Sequence, residues 1–267
     1  MDWLQALILG IIQGLTEFLP VSSSGHLIIG EELLGKKIDN NIVFAIVVHC
    51  ATVLSTITIL RKEITALFLK FFKLQWNAET QYVCMILFSM IPVMIVGLFF
   101  KETVENFFRK DLVFVGSMLI FTAMLLLLSS LFVKRDQRDK RNVGWGSAFL
   151  VGIAQAVAVL PGLSRSGATI ATGLLAGVKK EEVAKFSFLM VLIPILGETA
   201  LSALKGDFSA AVSEIPTSSL VIGFLAAYVC GCLACKFMLE LVKRTNLLWF
   251  ALYCSVVGIG ALIYALC

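Results

Sequence analysis

The sequence predicts an all-α polytopic membrane protein, built as a single integral membrane domain over residues 1–267. Hydrophobic residues make up 59% of the chain and charged residues 15%, whereas soluble domains carry about 25% charged residues. Several apolar runs are long enough to cross a bilayer, and two shorter runs each end in proline, serine and glycine. Together these observations predict an inverted-topology repeat with about six transmembrane helices and two re-entrant helical hairpins.

Six apolar runs are long enough to span the hydrocarbon core, which takes roughly 20 residues of helix. They cover 42–60, 82–100, 112–133, 183–204, 217–238 and 247–266. Regions 3–34 and 145–178 differ, because in each a modest apolar run breaks and then resumes. We expect each region to form a helix–loop–helix hairpin that enters the membrane and returns. Irregular backbone at that depth must be buried in protein or line a wet cavity.

The two hairpin regions resemble each other in sequence. The run A-L-I-L-G-I-I-Q-G-L-T-E-F-L-P-V-S-S-S-G in the first matches A-F-L-V-G-I-A-Q-A-V-A-V-L-P-G-L-S-R-S-G in the second. Gly10, Gln13, Gly25 and Phe44 each have an identical residue 142 positions later. This match predicts a duplicated chain with repeats at 1–135 and 144–267.

The loop charges predict how the repeats are oriented. Three spans separate the hairpins, and an odd number inverts the second hairpin relative to the first. Loops 61–81, 134–143 and 239–246 would share one side with eleven Lys and Arg residues, against four in loops 101–111 and 205–216. Cytoplasmic loops are enriched in these residues, so the first set is predicted to be cytoplasmic. Broken helices of inverted repeats commonly meet near the midplane and form a binding site there.

The two hairpin loops carry the polar groups of such a site. They are Glu17, Ser22, Ser23, Ser24 and His26 in the first loop, and Ser164, Arg165, Ser166 and Thr169 in the second. A charged Arg165 inside a membrane is unfavourable in free energy and is expected to have an anionic partner. Its planar guanidinium suits bidentate binding of phosphate oxygens. Each loop also leads into a short helix, whose first N–H groups and dipole favour anions. These residue types predict a phosphate-binding site.

Two side chains of the first loop add reactivity. A buried glutamate such as Glu17 can transfer protons, and His26 can act as nucleophile, acid or base. A serine between them could attack phosphorus. Mg²⁺ would be natural here because it prefers a carboxylate together with substrate phosphate oxygens, although a single carboxylate holds it weakly. Glu17 could instead pair with Arg165 as a structural link.

Other polar residues of the apolar runs are interpreted more simply. His49, alone on an apolar span, is interpreted as a packing histidine, and Glu198 is a lesser functional candidate. The cluster C-G-C-L-A-C at 230–235 favours close helix packing over metal binding. The basic run 134–141 is expected to touch lipid headgroups and not nucleic acid. The N-terminus lacks the basic segment of a cleavable signal peptide.

Two motifs make the chain resemble the undecaprenyl-diphosphate phosphatases of the bacitracin-resistance type. They are Q-G-L-T-E-F-L-P-V-S-S-S-G-H, from Gln13 to His26, and P-G-L-S-R-S-G-A-T, from Pro161 to Thr169. The resemblance covers essentially the whole chain. It implies a multi-pass enzyme of the bacterial inner membrane that hydrolyses undecaprenyl diphosphate, with Mg²⁺ or Ca²⁺, to undecaprenyl phosphate and inorganic phosphate. Such enzymes recycle the lipid carrier of peptidoglycan precursors and lower sensitivity to bacitracin.

The resemblance also implies roles for individual residues. Glu17 would be the metal-linked or acid–base carboxylate, Ser23 or His26 the nucleophile, and Arg165 the diphosphate clamp. The remaining loop alcohols would bind phosphate oxygens, namely Ser22, Ser24, Ser164, Ser166 and Thr169. Gln13 stands where the family often has glutamate, so it can coordinate or hydrogen-bond but cannot transfer a proton.

Three further expectations concern partners and rival functions. The partners are a polyprenyl diphosphate lipid and the bilayer, with the site reached from the periplasmic side, and the sequence is compatible with a homodimer. The main alternative is a transporter or flippase of polyprenyl phosphate lipids, because inverted repeats with broken helices are transporter architecture. The type-2 phosphatidic acid phosphatases share S-G-H but need a further arginine-and-histidine motif, which the surroundings of His49 lack.

Overall fold

The computed structural model describes residues 1–35, 42–73, 75–100, 112–132, 141–205, 215–244 and 246–266. The described residues form helices joined by short turns, and no strand occurs among them. Five helical segments are long and apolar enough to cross a membrane, and a sixth candidate arises when Val43–Ile59 and Arg61–Phe71, which are bent by 78°, are counted as one span. The all-α polytopic membrane class predicted from the sequence is therefore confirmed.

The two hairpins are helix–loop–helix units within the predicted regions. Hairpin 1 consists of α1 (Trp3–Phe18) and α2 (Ser23–Leu33). Hairpin 2 consists of α8 (Trp145–Val157) and α9 (Arg165–Leu175). All four helices are shorter than the roughly 20 residues that a full crossing needs, and both breaks fall at the prolines that end the first apolar runs, since proline cannot continue a helix interior.

All six predicted runs are helical, four as single helices and two as pairs of helices separated by one residue. The continuous helices are α3 (Ile42–Ile59), α7 (Leu112–Phe132), α12 (Thr217–Arg244) and α13 (Leu248–Leu266). The pairs are α5 (Ala78–Ser89) with α6 (Ile91–Phe99), and α10 (Lys180–Met190) with α11 (Leu192–Lys205). Pro92 lies in the first turn of α6, where its missing N–H is tolerated.

Two of the predicted loops are partly helical. Residues 61–81 include α4 (Arg61–Phe71), which turns by 78° from α3, and α12 extends to Arg244 into the predicted loop 239–246. The sequence reading missed both because charged residues within a helix look like a loop in a hydropathy profile. Loop 101–111, and most of loops 134–143 and 205–216, lie outside the described residues, so the predicted orientation stays a prediction.

Glycines bring the first helix of each hairpin close to a span. On α1, a Cβ at Gly10 would lie 2.5 Å from the Gly223 carbonyl oxygen of α12, and one at Gly14 would lie 2.6 Å from the Ala227 carbonyl oxygen. The small residues of α12 therefore serve helix packing, as predicted for the 230–235 region. On α8, a Cβ at Gly152 would collide with the Ser89 carbonyl oxygen of α5. Gly10 and Gly152, which are 142 positions apart, thus each let the first helix of a hairpin approach another helix closely.

Candidate active site

The two hairpin loops use the same cap to start their second helices. Ser22 Oγ accepts the Gly25 N–H at 3.2 Å, and Ser164 Oγ accepts the Gly167 N–H at 3.0 Å. Both serines also lie next to a second serine hydroxyl, with Oγ–Oγ distances of 3.4 Å to Ser24 and 3.3 Å to Ser166. Side-chain oxygens at this position satisfy N–H groups that a helix start leaves unpaired. The loops are therefore alike in fold and not merely in sequence.

The loops contact each other directly. The Ser166 hydroxyl donates to the Leu19 carbonyl at 2.9 Å, and a Cβ at Gly25 would lie 3.1 Å from the Gly162 Cα. Gly162 has a φ of 87°, a left-handed conformation that glycine adopts without steric cost. This contact places the starts of α2 and α9 side by side, so that two positive helix ends face one region.

Glu17 lies at the centre of the cluster that the two loops form. Its Oε1 accepts a hydrogen bond from Arg165, and its Oε2 accepts one from Ser23 Oγ at 2.5 Å and one from Gln13 Nε2 at 2.8 Å. Only 5% of the Glu17 side chain is exposed. A carboxylate this buried requires such partners, because burying an unpaired charge is strongly unfavourable. The structure thus brings together Glu17, Ser23, Gln13 and Arg165, as the sequence predicted for one site.

Ser23 and Arg165 occupy corresponding places in the two loops. They are 142 positions apart, each directly follows its capping serine, and each donates to Glu17. The repeated loop therefore presents a hydroxyl from one copy and a guanidinium from the other to a single carboxylate. Val159, the counterpart of Glu17 in the second repeat, provides no second acid.

His49 belongs to this cluster, which contradicts its interpretation as a packing histidine. Its Nδ1 donates to the Ala45 carbonyl at 2.8 Å, and its Nε2 lies 3.7 Å from Glu17 Oε2. About 27% of its side chain is exposed, against 5% for Glu17. His49 was misread because an isolated histidine on an apolar helix gives no sign of what faces it from another helix.

His26 contacts α13 and is not among the hydrogen-bond partners of Glu17. In the neutral ring, Nδ1 donates to the Ser22 carbonyl at 2.8 Å and Nε2 accepts from the Tyr253 hydroxyl at 2.8 Å. The His26 and Tyr253 rings are also stacked, with centroids 5.5 Å apart and planes 7° from parallel. The structure therefore separates His26 from the Ser23–Glu17–Arg165 cluster, and both of its ring nitrogens have partners.

Several of the predicted phosphate-binding alcohols bond protein groups in this structure. Ser22 and Ser164 cap helices, and the Ser164 N–H donates to Thr122 Oγ1 at 3.0 Å. Thr169 Oγ1 lies 2.7 Å from Ser187 Oγ and donates to the Arg165 carbonyl at 2.8 Å. These bonds hold the start of α9, and with it Arg165, in place.

A small pocket adjoins the cluster between α1, α3, α9 and α10. Its polar lining includes Thr52, Thr56, Ser166 and Ser187 beside Glu17 and Arg165. The sequence reading missed the two threonines and Ser187, although Thr52 and Thr56 follow His49 at spacings that place all three on one face of α3. Its volume of about 10 Å³ suits one water molecule. A phosphate can enter only if side chains around Arg165 and Glu17 move.

The cluster offers few metal ligands. Among the described residues, no group of three or more His, Cys, Asp or Glu side chains could hold a metal ion. Glu17 supplies one carboxylate, and the buried Gln13 Oε1 has no hydrogen-bond partner. Mg²⁺ commonly binds through one or two carboxylates and substrate phosphates, so these two oxygens fit an ion that arrives with the substrate. The side chain of Glu198, on α11, lies outside the described part of the structure.

Comparison with known proteins places this geometry in a family. A family model described as bacitracin resistance protein BacA matches residues 6–260. The chain is 55% identical over 264 residues to the undecaprenyl-diphosphatase of Bacteroides fragilis, with 98% of each chain covered. It is 55% identical over 260 residues to that of Parabacteroides distasonis, with 97% of each covered. It is 37% identical over 265 residues to that of Carboxydothermus hydrogenoformans, covering 98% of this chain and 97% of that protein. The resemblance read from the two motifs is therefore confirmed, and the chain belongs to the bacitracin resistance protein BacA family.

Proposed function

We propose that this protein is a membrane-embedded phosphatase that hydrolyses undecaprenyl diphosphate to undecaprenyl phosphate and inorganic phosphate. The observation that carries the proposal is the Ser23 hydroxyl donating to Glu17 at 2.5 Å beside Arg165. A hydroxyl bonded to a buried carboxylate is an activated nucleophile, and an arginine at the same carboxylate is suited to bind phosphate. The name that the relatives share, undecaprenyl-diphosphatase, supports the same substrate.

Ser23 is proposed as the nucleophile and Glu17 as its base. Glu17 Oε2 takes the hydroxyl proton while Ser23 Oγ forms a bond to the terminal phosphorus, and the bond from that phosphorus to the bridging oxygen breaks. The proton passes to the leaving undecaprenyl phosphate, which restores the carboxylate. Glu17 then takes a proton from a water whose oxygen forms a bond to the phosphorus of the phosphoserine. The bond from that phosphorus to Ser23 Oγ breaks and Glu17 returns the proton to Oγ, which releases inorganic phosphate and restores both the carboxylate and the Ser23 hydroxyl. Proton transfer by a positioned side chain typically raises the reaction rate by about 10²–10⁴-fold.

Arg165 is proposed to hold the diphosphate. In the described arrangement the guanidinium is paired with Glu17, so a diphosphate competes with Glu17 for it. When Arg165 shifts to the phosphate oxygens, Glu17 is left free to accept the Ser23 proton. The starts of α2 and α9 add N–H groups that have no partner within their own helices, and their dipoles stabilise negative charge at the same place.

A divalent cation, Mg²⁺ or Ca²⁺, is proposed to accompany the diphosphate. Glu17 and the Gln13 amide oxygen would hold it, together with phosphate oxygens. When bound, such an ion would neutralise the negative charge that develops on the phosphate oxygens. Because the protein contributes so few ligands, we expect the ion to bind weakly without substrate.

We further propose that the protein lies in the bacterial inner membrane, with the site open to the periplasmic side. There it would recycle the lipid carrier of peptidoglycan precursors and lower sensitivity to bacitracin, in keeping with the name of the family. The orientation that the loop charges predict supports this placement, because it makes hairpin 1 enter from outside.

The test is phosphate release by detergent-purified protein from a C15 or C55 prenyl diphosphate, with Mg²⁺ and with a chelator. We expect release in Mg²⁺, its loss in chelator, and no turnover by the Glu17→Gln variant. Folded, metal-supplied protein that releases no phosphate would remove the enzyme proposal. If the same protein moved a prenyl phosphate across vesicles, it would be the transporter named as the alternative.

Trapping the phosphoenzyme separates the two candidate nucleophiles. The Ser23–Glu17 contact predicts an acid-stable phosphoserine, whereas attack by His26 would leave an acid-labile phosphohistidine. A phosphate found on His26 would contradict the assignment of Ser23 and require His26 to leave Tyr253.

A further inference from the structure

Helix α4 has no buried residue, although it connects two membrane spans. All of its residues, Arg61–Phe71, are described, and each is at least partly exposed. It begins two residues after α3 ends and turns by 78° from that helix. Six residues separate its last residue from α5, which starts the next candidate span. Both ends of α4 therefore adjoin apolar helices, and α4 runs nearly at right angles to α3.

One side of α4 is attached to the protein. Ile64 and Leu67 pack against the large hydrophobic core as partly buried residues. Lys70 forms an ion pair with Glu79 in the first turn of α5. Together these contacts fix how α4 is rotated about its own axis, so its remaining surface has a defined direction.

The outward side of α4 combines aromatic and apolar residues with cations. Phe68, Leu69, Phe72 and the following Trp76 are each 59–69% exposed. The rings of Phe68 and Phe72 are in contact, with centroids 4.5 Å apart and planes tilted by 53°. Their rings therefore form one continuous apolar patch. Contiguous exposed apolar surface of this kind marks an interaction site, and aromatic residues such as tryptophan favour the membrane–water interface.

The charged residues of α4 indicate which lipids this helix would contact. Arg61, Lys62 and Lys73 are exposed and lie at the two ends of the helix. On a helical projection, Lys62 falls on the side of α4 opposite the core-facing residues, and the exposed Lys73 lies in the turn that follows the helix. Glu63 is the one acidic residue between Arg61 and Lys73. Basic amphipathic helices with aromatic residues on the other face lie in the plane of the interface and are attracted to anionic lipids.

We propose that the α4 surface, defined as Lys62, Phe68, Phe72, Lys73 and Trp76, docks on the headgroup layer of a bilayer and selects anionic phospholipids. The aromatic residues enter the acyl boundary, and the two lysines contact headgroup phosphates. This surface is separate from the Glu17 cluster, so the inference does not rest on the proposed phosphatase activity.

The test uses the fluorescence of Trp76 in the full-length protein. Trp3, Trp145 and Trp249 are replaced by Phe, and the protein is reconstituted in vesicles of phosphatidylglycerol and phosphatidylcholine in equal amounts. Either the first or the second lipid carries brominated acyl chains, which quench nearby tryptophan. We expect quenching by both, and stronger quenching when the phosphatidylglycerol is brominated.

Charge-matched variants then identify the lysines responsible. Lys62→Gln with Lys73→Gln should lower the preference for phosphatidylglycerol by about fivefold per lysine. Lys179→Gln with Lys236→Gln removes two exposed cations elsewhere and should leave it unchanged. Phe68→Ser with Phe72→Ser should raise quenching of Trp76 by aqueous iodide, because the helix loses its apolar contact with the bilayer.

Three results would overturn the inference. Trp76 could be open to iodide and unaffected by either brominated lipid, which would place α4 in water. The two lipids could quench equally, which would leave no selection for charge. Farnesyl diphosphate could abolish the preference at micromolar concentration, which would assign the lysines to the substrate and not to bulk phospholipid.

Discussion

Replacing Arg165 by methionine tests whether the ion pair with Glu17 holds the two hairpins together. The change removes the positive charge and keeps most of the side-chain volume. Glu17, with 5% of its side chain exposed, is then left as a buried carboxylate without its cation. Losing one partner of a buried pair typically lowers stability by about 3–5 kcal/mol.

The geometry places the expected loss near the lower end of that range. The Arg165 side chain is 27% exposed, so its charge is already partly solvated. Glu17 also keeps its hydrogen bonds from Ser23 and Gln13. We therefore expect the Arg165→Met variant to lose about 3 kcal/mol of the free energy of unfolding, measured by denaturant titration in mixed micelles.

Removing the second charge should restore most of this loss. In Arg165→Met with Glu17→Gln no buried charge remains, and replacing both partners of a pair is often nearly neutral. We expect the double variant to be within about 1 kcal/mol of the original protein, although it should be inactive. Lys179→Met, which removes an exposed cation, is the matched control and should have little effect. If Arg165→Met proves as harmless as the control, or if the two changes simply add, the pair does not link the hairpins.

Glu17→Gln alone should strengthen the binding of inorganic diphosphate while it abolishes turnover. Without the carboxylate, Arg165 has no internal anion and is free for the ligand. Saturation at 100 times Kd would stabilise the folded protein by about 2.7 kcal/mol, which a thermal shift detects. Diphosphate should give no such shift with Arg165→Met. Weaker binding to Glu17→Gln than to the original protein would refute the idea that Glu17 and diphosphate compete for Arg165.

Three further predictions follow from single contacts. Ser23→Ala should reduce phosphate release by roughly a thousandfold or more, while the exposed Ser117→Ala should leave it unchanged; a rate close to the original would refute Ser23 as nucleophile. Gly152→Ala should lower stability by about 1–3 kcal/mol because its Cβ meets the Ser89 carbonyl, whereas Gly197→Ala meets nothing within 4 Å and should be tolerated in the same thermal unfolding measurement. Tyr253→Phe keeps the stacked ring but loses the hydrogen bond to His26, so about 1 kcal/mol of stability should disappear; an unchanged melting temperature would show that this bond contributes nothing.

Much of the fold could be predicted because its elements are encoded locally. Each transmembrane span is an apolar run of the required length, and each hairpin break coincides with a proline followed by serines. The sequence also predicted that the loops of Glu17 and Arg165 form one site, and a pair between these two residues was one of the alternatives, since a buried arginine needs an anion. These inferences needed only chain spacing and the energetics of burial.

The remaining features depend on which helix faces pack against each other, and the sequence does not specify this packing. His49, Thr52 and Thr56 share one face of α3, but their spacing does not show which helix that face meets. Only the packing of α3 against the hairpins turns them toward Glu17. His26 illustrates the reverse case, because its motif position suggested the cluster but its ring contacts Tyr253, 227 residues away in sequence.

The loops of the two hairpins are alike in their caps but present different side chains to one carboxylate. Both copies keep the capping serine, the second serine and the glycine, which together fix the start of a short helix in the membrane. The residue after the cap is free to differ, because neither Ser23 nor Arg165 supplies the cap oxygen. One copy thus offers a hydroxyl and the other a cation, and both converge on Glu17 because the loops pack against each other. Such a pair of loops suits a reaction that needs a nucleophile and an anion-binding group hydrogen-bonded to the same carboxylate. Each loop can vary its one functional residue without disturbing the helix that positions it.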